Sequence, residues 1–245
     1  MRFDVVTLFP DMITAAASYG VTGRAIEREI VSLSVWNPRD YTHDKHKTVD
    51  DRPYGGGPGM VMKYQPLHEA VNKAKQSGND KAKVVYLSPQ GIPITQALLS
   101  DACNVSQLIL VAGRYEGVDE RFVKKDCDEE WSIGDYVISG GELAALIVID
   151  AITRLLPGVL GHEESAQQDS HMNGLLDYPH FTRPEQLDGG SVPDILLGGN
   201  HAQIGTWRMK QALGRTWQRR PDLLKNKNLS AEQNYLLQQF KSEVE

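Results

Sequence analysis

Short apolar runs, each ending in a polar or glycine-bearing turn, set the rhythm of the first two thirds of this chain. Three of them share one layout. They are Val84-Val85-Tyr86-Leu87 into Ser88-Pro89-Gln90-Gly91, Leu108-Ile109-Leu110-Val111-Ala112 into Gly113-Arg114-Tyr115-Glu116-Gly117, and Tyr136-Val137-Ile138 into Ser139-Gly140-Gly141-Glu142. Phe3–Phe9 and Leu33–Trp36 add two more strand-like runs. Helix-like segments start near Pro10-Asp11 and cover Arg24–Ile30, Pro66–Gln76, Thr95–Cys103 and Gly141–Leu155, the third with proline at its start. Strand-like runs with helices between them predict an α/β fold with a mostly parallel sheet.

In open α/β sheets, ligands sit beyond the carboxyl ends of the strands, where such turns gather. Glycine there lets the main chain approach a ligand and offer bare N–H and C=O groups. One such turn alone would read as a tight connection. Three in one half of the chain predict a single cofactor pocket. None of them spells GxGxxG, and no glycine-rich loop runs into Lys-Ser or Lys-Thr, so the dinucleotide and P-loop fingerprints are both missing. The loops carry Glu116 and Glu142, with Asp135 close by, against Arg114 as their cation. That balance suits a neutral or positively charged ligand, an adenosyl sulfonium better than a di- or triphosphate.

The pattern changes after Leu160. Residues 161–174 are nearly all polar and read as a mobile linker. Beyond it, Asn200 is placed to cap a helix anchored by Ile204, Trp207 and Leu213, and a last helix is expected from Ser230 to Phe240. The expected organisation is a cofactor-binding domain over 1–160, a linker over 161–175 and a small all-helical domain over 176–245.

Composition narrows the function. The formal net charge of the 245-residue chain is −6, which argues against a general nucleic-acid binder. Between Trp207 and Lys227, however, seven basic residues meet one acidic residue, so that stretch is +6 and the rest sums to −12. A local basic patch on an acidic chain is a pointed RNA signal. Cys103 and Cys127 have no metal-ligand spacing, so neither a disulfide nor a zinc site is expected. The apolar start contains Asp4 and lacks a signal-peptide layout, and the run Leu143–Ile149 is too short to cross a bilayer. A cytoplasmic location is expected.

Longer strings carry a family likeness. LSPQG (87–91), GRYEGVDER (113–121) and EEWSIGDYVISGGEL (129–143) closely resemble the bacterial tRNA (guanine-N1)-methyltransferases, knotted methyltransferases of the SPOUT class. The likeness continues through VDDRPYGGGPGM (49–60), PGVLGHEES (157–165), LLDYPHFTRP (175–184) and GNHAQIGTWRMKQALGRTW (199–217). The resemblance implies a trefoil knot in the larger domain, S-adenosyl-L-methionine as methyl donor, and transfer to N1 of the guanosine immediately 3′ of the anticodon in tRNA. It also implies a tRNA-binding role for the helical domain over 176–245 and an obligate homodimer that shares its active site between subunits. The donor would meet Tyr86, Leu87, Ser88, Pro89, Gly113, Tyr115, Glu116 and Gly117. From the third loop it would meet Ser132, Ile133, Gly134, Asp135, Tyr136, Val137, Ile138, Gly140 and Gly141. Asp169 matches the family's general base, with Asp177 as its nearest competitor, and Arg154 matches the cation that steadies the guanine oxygen. Glu116 would face the sulfonium or help hold a metal ion such as Mg2+.

Each residue also has a plainer reading. Asp169 in a polar loop could simply be solvated, and Arg154 could be an ordinary helix-end cation. The four glycines of Tyr54–Met60 fit a flexible hairpin, although the family match at Pro58 and Gly59 favours a surface against the target base. His43, Asp44, His46, Asp50 and Asp51 lack the ligand spacing of a metal site and read as a polar interface loop. Arg208, Gln211 and Arg215 share a helix face and are expected to track phosphates with Arg219 and Arg220, against the plain reading of a solvated face. Gly205-Thr206 departs from the charged residues expected there in the family. Two other functions stay open: methylation of a ribose hydroxyl, and a non-catalytic RNA-binding factor.

Overall fold

Residues 1–78, 81–161, 169–225 and 227–244 are described by a computed structural model. The chain divides into two units, Met1–Gly161 and His162–Glu245. The first unit holds β1 (Arg2–Val6), α1 (Pro10–Ala17), α2 (Gly20–Glu27), β2 (Ser32–Trp36), β3 (Asp50–Asp51), β4 (Val61–Met62) and α3 (Tyr64–Ser77). It continues with β5 (Lys83–Pro93), α4 (Gln96–Ala102), β6 (Gln107–Ala112), α5 (Glu120–Asp126), β7 (Glu129–Ser132) and α6 (Glu142–Thr153). Five strands form one sheet in the order β2-β1-β6-β5-β7, with every neighbouring pair parallel. The short β3 and β4 pair antiparallel apart from it.

Parallel sheets are covered on both faces, so their strands read as continuous apolar runs. The alternation of side chains then divides each run between two cores. Phe3, Val5, Val85, Leu87, Leu108 and Leu110 face α1, α2, α4 and α6. Val6, Val84, Tyr86, Ile109 and Val111 face α3 and α5. Asp4 breaks the apolar run of β1 and is fully buried. Its carboxylate accepts from Arg2 Nε at 2.7 Å, Trp36 Nε1 at 2.8 Å and Gln107 Nε2 at 2.9 Å, so its burial is compensated by charge and hydrogen bonds.

Two expected elements differ. Tyr136-Val137-Ile138 is not a strand: the sheet's last strand is Glu129–Ser132, and the chain turns away at Gly134, whose φ is +141°. Without a strand to join, Val137 stays 85% exposed. The expected turn Ser88–Gly91 instead bulges from a longer β5, since Leu87 and Ile92 both pair with Trp131. Gly91 passes so close to β7 that a Cβ would overlap the main chain of Glu130.

The second unit has a smaller core of Leu175, Leu213, Leu236 and Leu237. Its long helix, His201–Arg219, is capped by the side chain of Asn200, which accepts from Gln203 N at 3.2 Å. The last helix, Ala231–Val244, packs so closely that a Cβ on Gly214 would overlap the ring of Phe240. The unit is not all helical. Gln186–Leu187 and Gly190–Ser191 form a small antiparallel hairpin, turned at Gly190 with φ +139°. Seven of the fifteen residues expected as a linker, 162–168, lie outside the described residues. The linker's last member, Leu175, belongs to this unit's core.

Candidate active site

Strand register brings three carboxyl ends to one level, since Leu87 pairs with both Ala112 and Trp131. The loops that follow leave the sheet side by side and enclose a cleft of about 220 Å3. The first contributes Tyr86, Leu87, Ser88 and Pro89. The second contributes Gly113, Tyr115, Glu116 and Gly117. The third contributes Ser132, Ile133, Gly134, Tyr136, Val137, Ile138, Gly140 and Gly141. Asp135, expected among them, does not line the cleft. Gln90, Arg114, Trp131, Ser139 and Ala144 line it as well, beyond the donor contacts that the family likeness implied. Gln90, Arg114 and Ser139 stand inside the same turns and could have been found there.

The loops are tied to one another by the main chain and by one buried pair. Gly141 N donates to Gly113 O at 2.9 Å, and a Cβ at Gly141 would stand 2.7 Å from the Cα of Ala112. Glycine is required at that crossing. Arg114 Nη2 lies 2.8 Å from Glu142 Oε2, while Arg114 Nη1 donates to Ser139 O at 3.0 Å. Glu142 is fully buried, and its Oε1 accepts from Thr7 Oγ1 at 2.8 Å. Glu142 is therefore not a carboxylate offered to a ligand, as its place in the loop suggested. It neutralises Arg114 instead. Glu142 also stands in the first turn of α6, where the helix dipole favours a negative charge.

Tyr86 is buried, and that burial, followed by the charge of Glu130, pushes its phenol up to about 12. It is a neutral hydroxyl at any physiological pH. Tyr115 has a left-handed φ of +62°, and burial followed by the charge of Asp50 raises its phenol as well. Asp50, from the polar loop, thus helps to set the second cleft loop.

The glycine loop around Pro58 and Gly59 lies against that same cleft loop. Glu116 N donates to Met60 O and Met62 N donates to Gly117 O, both at 2.9 Å. A Cβ on Gly59 would overlap the side chain of Glu116. In the polar loop, Asp44 accepts from Thr48 Oγ1 at 2.7 Å and from Thr48 N at 3.0 Å, which lowers its pKa. It organises a turn there. Among the described residues, no group of three or more His, Cys, Asp or Glu side chains could hold a metal ion.

Arg154, one of the expected catalytic pair, does not line this cleft. It caps the carboxyl end of α6, ten residues after Ala144, the last residue of that helix to line the cleft, so it stands about 15 Å along the helix from the cleft edge. Asp169 is half-buried at the start of the described part of the second unit. Asp177 is already engaged. Its Oδ1 accepts from Tyr178 N at 2.7 Å, and its Oδ2 lies 2.8 Å from His180 Nε2. Of the basic stretch, Lys210 pairs with Glu243 at 2.7 Å and Arg220 with Asp222 at 2.7 Å, and Lys227 donates to Asn173 O. Arg208 lies 4.8 Å above the ring of Tyr178, and Arg215 is half-buried on the same helix.

Residues 1–226 match the family described as tRNA (Guanine-1)-methyltransferase TrmD. The chain belongs to this family. Among the curated TrmD-family relatives similar to it is the tRNA (guanine-N(1)-)-methyltransferase of Methylococcus capsulatus, 62% identical over 245 residues. That alignment covers 100% of this chain and 98% of the relative. Proteins of the same name from Tolumonas auensis and Escherichia coli O139:H28 are 59% and 58% identical, over 100% and 99% of this chain and 98% and 95% of theirs. No helix among the described residues is long and apolar enough to cross a membrane.

Proposed function

We propose that this chain is a cytoplasmic enzyme that transfers the methyl group of S-adenosyl-L-methionine to N1 of the guanosine immediately 3′ of the anticodon, position 37, in tRNA. The observation that carries the reading is the charge of the cleft. Arg114, the cation in its wall, is neutralised by buried Glu142, and the dipole of α6 is already met by the same carboxylate. Among the described residues, no unpaired cation in that wall is left to hold a phosphate chain. Glu116 remains as an exposed carboxylate, and glycine main chain supplies the other polar contacts. An uncharged adenosine with a positive sulfonium fits such a site, and the donor supplies an electrophilic methyl group. A Mg2+ ion brought with the substrates would meet Glu116, since magnesium needs only one or two protein carboxylates.

Guanine N1 carries a proton at neutral pH, so the nitrogen is a nucleophile only as that proton leaves. In the proposed mechanism the carboxylate of Asp169 takes it, and the charge that spreads onto the neighbouring carbonyl oxygen is met by Arg154. The N1 lone pair then forms the new bond to the methyl carbon, and the electron pair of the carbon–sulfur bond that breaks would leave with sulfur as a neutral thioether. A positioned base contributes roughly 10²–10⁴-fold. Asp177 is the competitor for that role; its oxygens accept from Tyr178 N and lie against His180. The glycine loop at Pro58 and Gly59, resting on Glu116, provides the surface for the target base.

The place of Arg154, about 15 Å along α6 from the cleft, supports a site completed by a second subunit. Leu143 and Ile147 lie one turn apart on α6 and are 49% and 48% exposed. Phe9 and Met12, on and before the adjoining α1, are 48% and 36% exposed. A twofold homodimer would bury this apolar face. The trefoil knot implied by the family likeness belongs to the same reading.

The test is incubation with labelled S-adenosylmethionine and a tRNA transcript carrying guanosine at that position, followed by nucleoside analysis. The expected product is N1-methylguanosine at that position alone. A methylated ribose, or no product, sinks the reading. Asp169→Ala is expected to bind the donor with unchanged affinity in calorimetry and to lose turnover by roughly the factor a general base supplies.

A further inference from the structure

We infer that the second unit carries its own nucleotide pocket, in which an unpaired nucleobase of the tRNA stacks on aromatic side chains while arginine meets its phosphate. The inference rests on the proposed tRNA substrate and adds a site that the methyl-transfer chemistry does not use.

The pocket is a cavity of about 400 Å3 between the segment Tyr178–Arg183 and the first half of the long helix. Tyr178, His180, Phe181 and Trp207 give it four aromatic rings, and Arg183 and Arg208 give it two cations. The rings are held in pairs. Tyr178 and His180 lie 4.7 Å apart, and Phe181 and Trp207 lie 6.3 Å apart. Asp177 fixes the first pair through the main chain of Tyr178 and the imidazole of His180. Arg208 covers one face of Tyr178 at 4.8 Å.

These rings do not serve the unit's core. That core is Leu175, Leu213, Leu236 and Leu237 with Trp217, Leu224 and Leu229, and no pocket residue belongs to it. Phe181 is 46% exposed, a cost in water that its own fold does not recover. Aromatic faces beside guanidinium groups are what unpaired bases stack upon, and base pairs in a duplex hide theirs. Two arginines against Glu185 leave the pocket positive, and the basic excess of Trp207–Lys227 begins at its wall. An apolar peptide would use the rings and leave both arginines unanswered. A nucleotide uses both.

Binding of the full-length protein to a fluorescent tRNA transcript is compared with binding to a blunt RNA duplex of equal phosphate number, using wild type and Phe181→Ala. The variant is expected to lose roughly five- to hundredfold in tRNA affinity, the usual worth of one base–aromatic stack, and to bind the duplex as before. Its salt dependence should not change, since no phosphate contact is removed. Equal losses on both RNAs, or unchanged tRNA affinity as expected of a pocket for a protein segment, would overturn the inference. If Phe181→Ala lowers the melting temperature, photocrosslinking of wild type to a 5-iodouridine transcript decides instead. Crosslinks on Tyr178, Phe181 or Trp207 support the pocket, and crosslinks confined to other residues refute it. Methyl transfer is assayed on the same transcript. An inactive wild type refutes the proposed function, whereas an active enzyme whose Phe181→Ala variant binds tRNA normally refutes the pocket alone.

Discussion

The cleft of the first unit and the aromatic pocket of the second are built by opposite means. In the cleft the walls are largely main chain and glycine, and their positions are dictated by strand register: Leu87, Ala112 and Trp131 stand abreast, so the loops behind them must meet. In the pocket the walls are side chains, held by one another and by Asp177 over a core of a few leucines. A buried sheet can place backbone to within a fraction of an ångström because many packed residues share the task. A small helical unit has fewer, since each fully buried aliphatic or aromatic side chain contributes only about 1.5–3 kcal/mol before chain entropy is subtracted. The first site should therefore fail when a single Cβ is added, while the second should fail when its support melts or a ring is removed.

The largest effect is expected from Gly141→Val. The new side chain would not enter the ligand's space, as the loop's sequence alone suggests. It would strike the main chain of Ala112 and Gly113 and force α6 away from β6. Overpacking of this kind costs about 1–3 kcal/mol, and more where the obstacle is backbone. Donor affinity measured by calorimetry should fall by about a hundredfold or more, with a lowered melting temperature. Donor binding within a few-fold of wild type would show that the crossing of α6 over Gly113 does not shape the cleft.

How much of this could be read in advance follows from the same contrast. The parallel α/β fold and the three loops that meet in the cleft were legible, because glycine after an apolar run is a local signal, whereas Ser132, Ile133 and Gly134 entered only through the family likeness. The wrong strand, Tyr136–Ile138, was an apolar run with no partner edge to join, and pairing is not written locally. Glu142 was misjudged for a related reason: its partner Thr7 lies 135 residues away, so nothing near it announces a buried carboxylate. Arg154 and Asp169 were named only through family likeness, since a helix-end arginine and a loop aspartate look ordinary in isolation. The pocket of the second unit escaped notice because its rings come from two stretches, 178–183 and 204–208, that only folding brings together.

A smaller effect, and one confined to the second unit, is expected from Gly214→Val. Its Cβ would overlap the ring of Phe240, the contact that lets the last helix lie against the long one. With a loss of about 2 kcal/mol, amides of both helices should exchange with solvent roughly thirtyfold faster, and tRNA affinity should drop with them. Donor affinity should stay as in wild type if the two units are built as independently as their cores suggest. A parallel loss of donor binding would break the contrast between them.

The smallest predicted effect separates the basic residues that remain available from those already spent. A phosphate contact releases counterions, and each contributes about 0.7–0.9 to the slope of log affinity against log salt. The sequence offers seven cations from Arg208 to Lys227, but Lys210 is committed to Glu243 and Arg220 to Asp222. A lysine paired with a carboxylate 2.7 Å away brings little net charge to a phosphate, and pulling it out forfeits the pair. Arg215 lies seven residues after Arg208, on the same face of the long helix, and no carboxylate among the described residues forms an ion pair with it. Arg215→Ala should accordingly flatten the salt dependence of tRNA binding by about one contact's worth, while Lys210→Ala changes it by less. Titrations across a range of salt concentrations measure both slopes on the same transcript. Equal changes for the two variants would mean that the ion pair with Glu243 opens in the complex, and that charge on this helix is counted by sequence rather than by structure.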